Sequence, residues 1–519
     1  MIEYYRRTFA EYLHPKYPLL ATPVFAESYV DAEVLLRRDG IYHLVILDLR
    51  LPERTGDSLG DASARGLGLI PAIGGREEYP VPILVIVTAD PRRIIDRPEI
   101  GEQLDTMFWK HWVRSKNVDL IQQLVPAIQA AVDYSGIGIH IVGDESADQL
   151  RPMLSPREED LLRRAILDSP SAAVGADLRW WSVDRDPLCI GTPAWTKVLR
   201  GRLILRDPDG LSRERFLKFV SMEEGNAARK SAELLSTKLP HGKVVRFLAA
   251  GSRALLVTEK AGPNESTPRP LGAILRETSS LDDAAIERLA TDIIDQLCML
   301  GEATQATTTI AKCLWAHHDP SRLAEAWARL SGSAAVDPVM LLAELRARPE
   351  ALVITRRMCH GDLHPGNVSV SSDGSTLRAF IIDPGVMSPD VSAKDVAVLE
   401  ISILLHADFG DPGLILKVSP LFDGSDPFGE AIVLAAVDDR IVNAIRMIIT
   451  LRRRMRSECD ERTYVVLLLD YLLVQIGGVC FGTSHNKIVS MSDLPVLFEL
   501  LFRWYRKFYA ELEVLGFRR

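Results

Sequence analysis

Cysteine is scarce: six occur in 519 residues, at positions 189, 298, 313, 359, 459 and 480. None forms a CxxC pair or a Cys/His spacing suited to zinc, which excludes a disulfide scaffold and a zinc module. Scattered reduced thiols fit a cytoplasmic protein, and Cys359, at the end of an apolar strand, reads as a buried thiol and not a catalytic one. No basic-then-apolar leader opens the chain. Long apolar runs are wanting too. The most extended, Tyr464 to Cys480, carries Asp470 at its middle and reads as a buried core helix, not a membrane span. Charge of one sign is also modest, at a net of −9, so nothing global points to nucleic acid or an anionic membrane. Internal repeats and low-complexity tracts are absent.

What is present is the composition of a soluble globular protein, with 47% apolar and 25% charged residues. The length suggests roughly three domains or lobes. Residues 1–132 alternate strand and helix patterns. Tyr42 to Leu47 is a buried-strand run ending at Asp48, and Val81 to Val87 is a second, ending at Thr88. Gly56 to Gly75 reads as a loop with a weak helix, and Leu120 to Val132 has helical spacing. Such alternation predicts a parallel sheet with its functional groups at the strand C-terminal ends.

Residues 133–178 read as a connector. Ser155-Pro156-Arg157-Glu158 supplies an N-cap serine, a proline at the first helical position and a glutamate at the third. This stretch resembles the opening of a LuxR-type helix-turn-helix, but Ser169-Pro170-Ser171 and Gly175 interrupt the chain where a recognition helix would follow. Residues 179–262 turn to strands at Trp195–Leu199, Arg202–Arg206, Arg215–Val220, Val244–Ala249 and Ala254–Thr258, with a helix over Ala227–Leu239. That order predicts a small antiparallel sheet with one inserted helix. Residues 263–519 are predicted mostly helical, apart from a hairpin at Val368–Val370 and Leu377–Ile382.

The chemistry concentrates around that hairpin. Phosphoryl transfer to a hydroxyl needs a positioned nucleophile, an acceptor for its proton, and cations that neutralise the phosphate. In His360-Gly361-Asp362-Leu363-His364-Pro365-Gly366-Asn367, an Asp and an Asn stand at the two ends of one short loop. They can serve as base and metal ligand. Asp383, in Ile381-Ile382-Asp383-Pro384-Gly385, follows an apolar strand that the hairpin returns to the same loop.

These motifs resemble the aminoglycoside phosphotransferase and choline kinase branch of the protein-kinase-like fold. The resemblance covers about residues 180–400 and implies an α+β bilobal kinase-like fold with a large helical C-lobe. It implies ATP and Mg²⁺ as cofactors, Asp362 as catalytic base, His360 as a brace of the catalytic loop, and Asn367 and Asp383 as metal ligands. Asp395 matches the residue that supports the catalytic loop, and His364 and Pro365 shape it. In the N-lobe, Lys218 would be the ATP-phosphate lysine, with Glu233, fifteen residues on, as its partner. Gly191 and Thr192 would lie in the phosphate-covering turn, which is not a GxGxxG. Leu256 to Gly262 would be the hinge that reads adenine, with Glu259 and Ala261 in it.

The N-terminal α/β unit resembles a response-regulator receiver domain. On that resemblance Asp48 is the candidate phosphoacceptor, Thr88 binds the phosphate and Lys110 pairs with it. The receiver's first strand and its acidic, Mg²⁺-binding pair would precede the helix near Glu3, where only Met1-Ile2 stand. Either translation starts upstream, or this strand and metal site are lost.

The expected function is a kinase moving the ATP γ-phosphate to a hydroxyl of a small molecule or protein, gated by the receiver-like unit. The alternative is a catalytically weak or inactive signalling scaffold of a bacterial multi-component signalling or defence system, with protein partners. Neither reading calls for nucleic acid or a membrane span. Leu451-Arg452-Arg453-Arg454-Met455-Arg456 is either an anion-binding surface or, as helix faces more often are, a solvated one.

Overall fold

A computed structural model describes residues 23–38, 42–55, 65–75, 81–116, 119–141, 154–167, 173–180, 197–205, 212–239, 243–250, 252–259, 261, 268–277, 281–315, 318–330, 336–374, 376–385, 387–406, 439–479 and 494–514, with 6, 7, 10, 11 and 15. The chain divides into two compact units. Unit 1 comprises residues 1–181, 194–226 and 244–259, and unit 2 comprises 182–193, 227–243 and 260–519.

Unit 1 begins with α1 (Tyr29–Arg37), β1 (Leu44–Asp48), α2 (Ile70–Gly74), β2 (Ile83–Thr88), α3 (Pro98–Met107), β3 (His111–Ser115) and α4 (Leu120–Ser135). The three strands form a parallel sheet in the order β1-β2-β3. Every residue of β2 is buried, as a parallel strand covered on both faces must be. Its alternate side chains feed two cores. Leu84 and Ile86 join Leu69, Ile70, Leu104 and Phe108, whereas Ile83, Val85 and Val87 join Leu124, Ala127 and Ile128 of α4.

The rest of unit 1 is a six-stranded sheet in the order β4-β5-β6-β7-β9-β8. Its strands are β4 (Gly138–Ile141), β5 (Ala173–Trp180), β6 (Lys197–Leu205), β7 (Ser212–Ser221), β8 (Val244–Ala250) and β9 (Arg253–Glu259). The antiparallel core of this sheet matches the expectation, and so does the helix inserted after β7. The two short strands expected at 195–206 are one strand, β6. The stretch read as a connector supplies β4, β5 and the helix α5 (Pro156–Leu167).

That helix is not a linker. Leu161, Leu162, Ala165 and Ile166 share one core with Leu47 and Leu84 of the parallel sheet and with Leu217, Phe219 and Leu255 of the six-stranded sheet. Arg157, Glu158, Asp160 and Arg164 are buried with them, which leaves no face for DNA. The capping box forms as expected: the Ser155 amide donates to Glu158 Oε2 at 2.8 Å, and the Glu158 amide donates to Ser155 Oγ at 3.3 Å. Glu158 also pairs with Arg253 of β9. Asp160 accepts from the Val81 amide at 3.2 Å, the Tyr134 hydroxyl at 2.9 Å and Arg164 Nε at 3.0 Å. Buried charges persist where they are paired or hydrogen-bonded: Asp160 pairs with Arg164, Glu158 with Arg253, and Arg157 Nη2 donates to the Gly74 carbonyl at 3.3 Å.

Unit 2 holds most of α6 (Met222–Lys238), followed by β10 (Arg269–Pro270), α7 (Leu271–Leu275), α8 (Asp283–Met299), β11 (Thr304–Thr309), α9 (Pro320–Arg329), α10 (Pro338–Ala347) and β12 (Ala351–Cys359). Then come β13 (Val368–Asp373), β14 (Thr376–Ile381), β15 (Ser388–Val391), α11 (Lys394–His406), α12 (Asp439–Met455), α13 (Glu461–Val479) and α14 (Leu494–Val514). The expected hairpin is β13/β14, paired from Val368↔Ile381 to Asp373↔Thr376. A second sheet, β11-β12-β15, was not anticipated. The apolar run near 464–479 is the buried core helix α13. Its Asp470 accepts from the Trp315 amide at 3.1 Å and meets His318 Nε2 at 2.5 Å. Among the described residues no helix is long and apolar enough to cross a membrane.

The arginine-rich end of α12 divides. Arg452 is buried against Glu400, which also accepts from the Tyr464 hydroxyl at 2.8 Å. Arg453, Arg454 and Arg456 are exposed, and Arg454 pairs with Glu287 of α8.

Candidate active site

Three elements of unit 2 deliver the motif residues to one place. Strand β12 runs into the loop 360–364, and the Pro365–Asn367 turn of 3₁₀ helix leads from it into β13. The hairpin is fixed from behind by α8. Gln296 Nε2 donates to the Ala379 carbonyl at 2.7 Å and its Oε1 accepts from the Ile381 amide at 2.9 Å. Asp292 accepts from the Ala379 amide at 3.0 Å and from Arg378 Nε at 2.9 Å. Strand β14 therefore ends at a defined point, two residues before Asp383.

The loop is braced by Asp395, buried at the start of α11. Its carboxylate accepts from the His360 amide at 2.6 Å and the Gly361 amide at 3.0 Å. Burial pushes the Asp395 carboxyl above the usual range, while His360 and those two N–H groups pull it back. His360 is fully buried, and its Nε2 lies 3.0 Å from the Ile382 carbonyl, which requires the proton on Nε2. It ties the loop to the segment that follows β14 and carries Asp383. Gly361 has φ of 83°, a conformation glycine adopts without strain.

Asp362 projects from this braced loop with its side chain 38% exposed. Asn367 closes the constellation. Its Nδ2 donates to the Asp362 carbonyl at 2.8 Å and the Asp383 carbonyl at 3.2 Å, and lies 3.4 Å from Asp362 Oδ2. Asp383 is the one non-glycine residue with positive φ, 52°, among those described. A held left-handed residue of this kind recurs at functional sites. Gly385 packs so tightly that a Cβ there would lie 2.8 Å from Asp362 Cβ and 3.0 Å from the Gly361 carbonyl oxygen. The hydrogen-bonded and packed group therefore comprises Asp362, Asn367, Asp383, His360 and Asp395.

The donor set suits a hard divalent cation. Asn367 spends its amide nitrogen on backbone carbonyls, which leaves its neutral Oδ1 as the oxygen it can offer a cation, with the Asp383 carboxylate as the charged candidate. Mg²⁺ is held by one or two such oxygens together with phosphate and water.

Lys218 stands mid-β7, paired with Val198 and Leu256 across the sheet. Glu233 lies on α6, 3.8 Å from Arg229. Glu259 closes β9 opposite Arg215, and Ala261 is buried. Gly191 and Thr192 lie outside the described residues.

In unit 1, Asp48 ends β1 and Thr88 ends β2, as expected. Lys110 does not reach them. It precedes β3, with its ammonium 4.4 Å from the Trp109 ring centre. The lysine that pairs with Asp48 is Lys116, immediately after β3. The reason is register: the strand is His111–Ser115, so its C-terminal end, opposite Thr88, falls at 115–116. The signal that could have found it is the β-favouring pair Trp112-Val113 shortly before a lysine. Asp48 Oδ1 also accepts from the Arg50 amide at 2.9 Å, and Thr88 Oγ1 from the Asp90 amide at 3.3 Å.

No curated protein sequence matches the chain. Among solved structures, it is similar to an ethanolamine kinase of Plasmodium vivax at 10% identity, covering 76% of this chain and 94% of that one, with a TM-score of 0.29. It is also similar to a microcompartment-associated aminopropanol kinase at 13% identity, covering 66% and 94%, with a TM-score of 0.30. Residues 200–399, which carry the whole Asp362 constellation, match the phosphotransferase enzyme family, APH.

Proposed function

We propose that this protein is an ATP- and Mg²⁺-dependent phosphotransferase that moves the γ-phosphoryl group to a hydroxyl. The observation that carries this reading is the convergence of Asp362, Asn367 and Asp383 on one braced loop. The family match over residues 200–399 supports it and favours a small-molecule acceptor over a protein. In the proposed step, the acceptor oxygen bonds to the γ-phosphorus as its O–H proton passes to an Asp362 oxygen. The bond between that phosphorus and the β,γ-bridging oxygen breaks, and ADP leaves with its electron pair. Asn367 and Asp383 would hold Mg²⁺, which when bound neutralises phosphate charge. Lys218 would bind phosphate, and the segment around Glu259 and Ala261 would bind adenine.

The test is Mg-ATP turnover against a panel of hydroxyl acceptors, with Asp362→Asn as control. Loss of a general base costs about 10²- to 10⁴-fold. ATP binding with no turnover on any acceptor would favour the signalling-scaffold reading instead.

We further propose that Asp48, beside Lys116 and Thr88, accepts phosphate and gates the kinase. A phosphoryl group would add about −1.5 to −2 charge at the Asp48–Lys116 pair. Equal turnover by the wild type and Asp48→Ala, each with and without a small-molecule phosphodonor, would sink this gate.

A further inference from the structure

His364 stands between the base and the metal-ligand end of the loop. Its Nδ1 accepts from the Gly366 amide at 3.1 Å and so caps the Pro365–Asn367 turn. The ring lies directly on Gly366, where an added Cβ would meet His364 Cε1 at 2.8 Å. A nitrogen that accepts from an amide carries no proton, so the neutral ring holds its proton on Nε2. That Nε2 is 4.0 Å from Asp362 Oδ2, on a side chain 18% exposed. At this separation the two groups meet through one water or a small rotation.

We infer that His364 is a positioning residue for Asp362: the turn fixes its tautomer, and the resulting Nε2–H holds the Asp362 carboxylate in the orientation that receives the acceptor's proton. The Asn367 amide lies 3.4 Å from the same carboxylate oxygen, so both N–H groups face Oδ2. The remaining oxygen, Oδ1, is then the one presented to an acceptor hydroxyl. The inference rests on the proposed role of Asp362 as base.

Two substitutions separate the two ring nitrogens. His364→Asn keeps an acceptor near the Nδ1 position for the Gly366 amide but removes the donor. His364→Gln keeps a donor at the reach of Nε2 but gives up the cap. The expected pattern is crossed. His364→Asn keeps wild-type amide exchange over residues 364–367, yet its kcat falls about 10- to 100-fold with KM for ATP unchanged. His364→Gln exchanges faster there but recovers most of kcat. In an Asp362→Asn background, His364→Asn should change the residual rate by less than about twofold, because the group it orients is gone. Activity that simply tracks stability through both variants would overturn the inference.

A second measurement needs no turnover. In long-range ¹H–¹⁵N spectra of the full chain labelled at histidine, the ring lost in His364→Asn should carry its proton on Nε2 and shift in Asp362→Asn. A proton on Nδ1, or a ring indifferent to Asp362→Asn, would overturn it. Failure of the phosphotransfer reading shows separately, as a wild type with no turnover.

Discussion

Replacing Asp395 separates the brace from the chemistry. Its carboxylate is the acceptor for two consecutive amides, His360 at 2.6 Å and Gly361 at 3.0 Å, in a site only 3% exposed. Asp395→Ala strands both donors, and each buried unsatisfied group costs about 1–3 kcal/mol, so the loop loses about 2–6 kcal/mol. Asp395→Asn keeps one acceptor oxygen and sets an NH₂ against the other amide, for about 1–3 kcal/mol. A two-unit chain does not melt as one transition, so amide hydrogen exchange on peptides spanning 355–366 is the suitable assay. Local opening that costs 1.4 kcal/mol less exchanges about tenfold faster. Asp395→Asn should speed exchange at His360 and Gly361 about 10- to 100-fold, and Asp395→Ala more. Protection in unit 1 should be unchanged. Wild-type protection at those amides in Asp395→Asn would refute the assignment of Asp395 as their acceptor.

Gly385→Ala should leave the hydrogen-exchange pattern of the β13/β14 hairpin intact yet cut turnover at least tenfold, because its Cβ would press on Asp362 Cβ and the Gly361 carbonyl. Asp160→Ala should destabilise unit 1 by about 3–5 kcal/mol in urea titration, since it leaves Arg164 buried without its carboxylate. Burial and the nearby Arg163 hold His43 below its ordinary value of 6.5. The unfolded chain then takes up a proton that the native state refuses, so unit 1 should lose stability as pH falls through about 6.5. His43→Gln should flatten that part of the stability–pH curve.

The Asp362 segment was legible because its motif is local. His360, Asp362 and Asn367 fall within eight consecutive residues, and the hairpin that returns Asp383 is announced by Ser371-Ser372-Asp373-Gly374 between two strand-like runs. Lys116 was missed because Met107-Phe108-Trp109 is the more apolar stretch, although it ends α3 and turns toward β3. The sheet β11-β12-β15 was missed for a different reason. Thr304-Gln305-Ala306-Thr307-Thr308-Thr309 is polar and half-exposed, so its strand character rests on β-branching and on pairing with Ala351–Arg356, far along the chain. Helix α5 was recognised as a helix by its capping box, but its burial was not. Six charged side chains in twelve residues look like a solvated surface, and only with the partners at Val81, Tyr134 and Arg253 in view does the burial of four of them make sense.

Those four charges also decide where the chain can be cut. Beginning a shortened protein after residue 178, at the apparent edge of the kinase-like region, removes β4, α5 and most of β5. It leaves Arg253 without Glu158 and uncovers Leu217, Phe219 and Leu255. The fragment would carry a new apolar face beside an arginine that has lost Glu158, a surface that invites aggregation. Insolubility or inactivity of such a fragment would then report the wound made by the excision, not any dependence of phosphotransfer on signals from the parallel sheet.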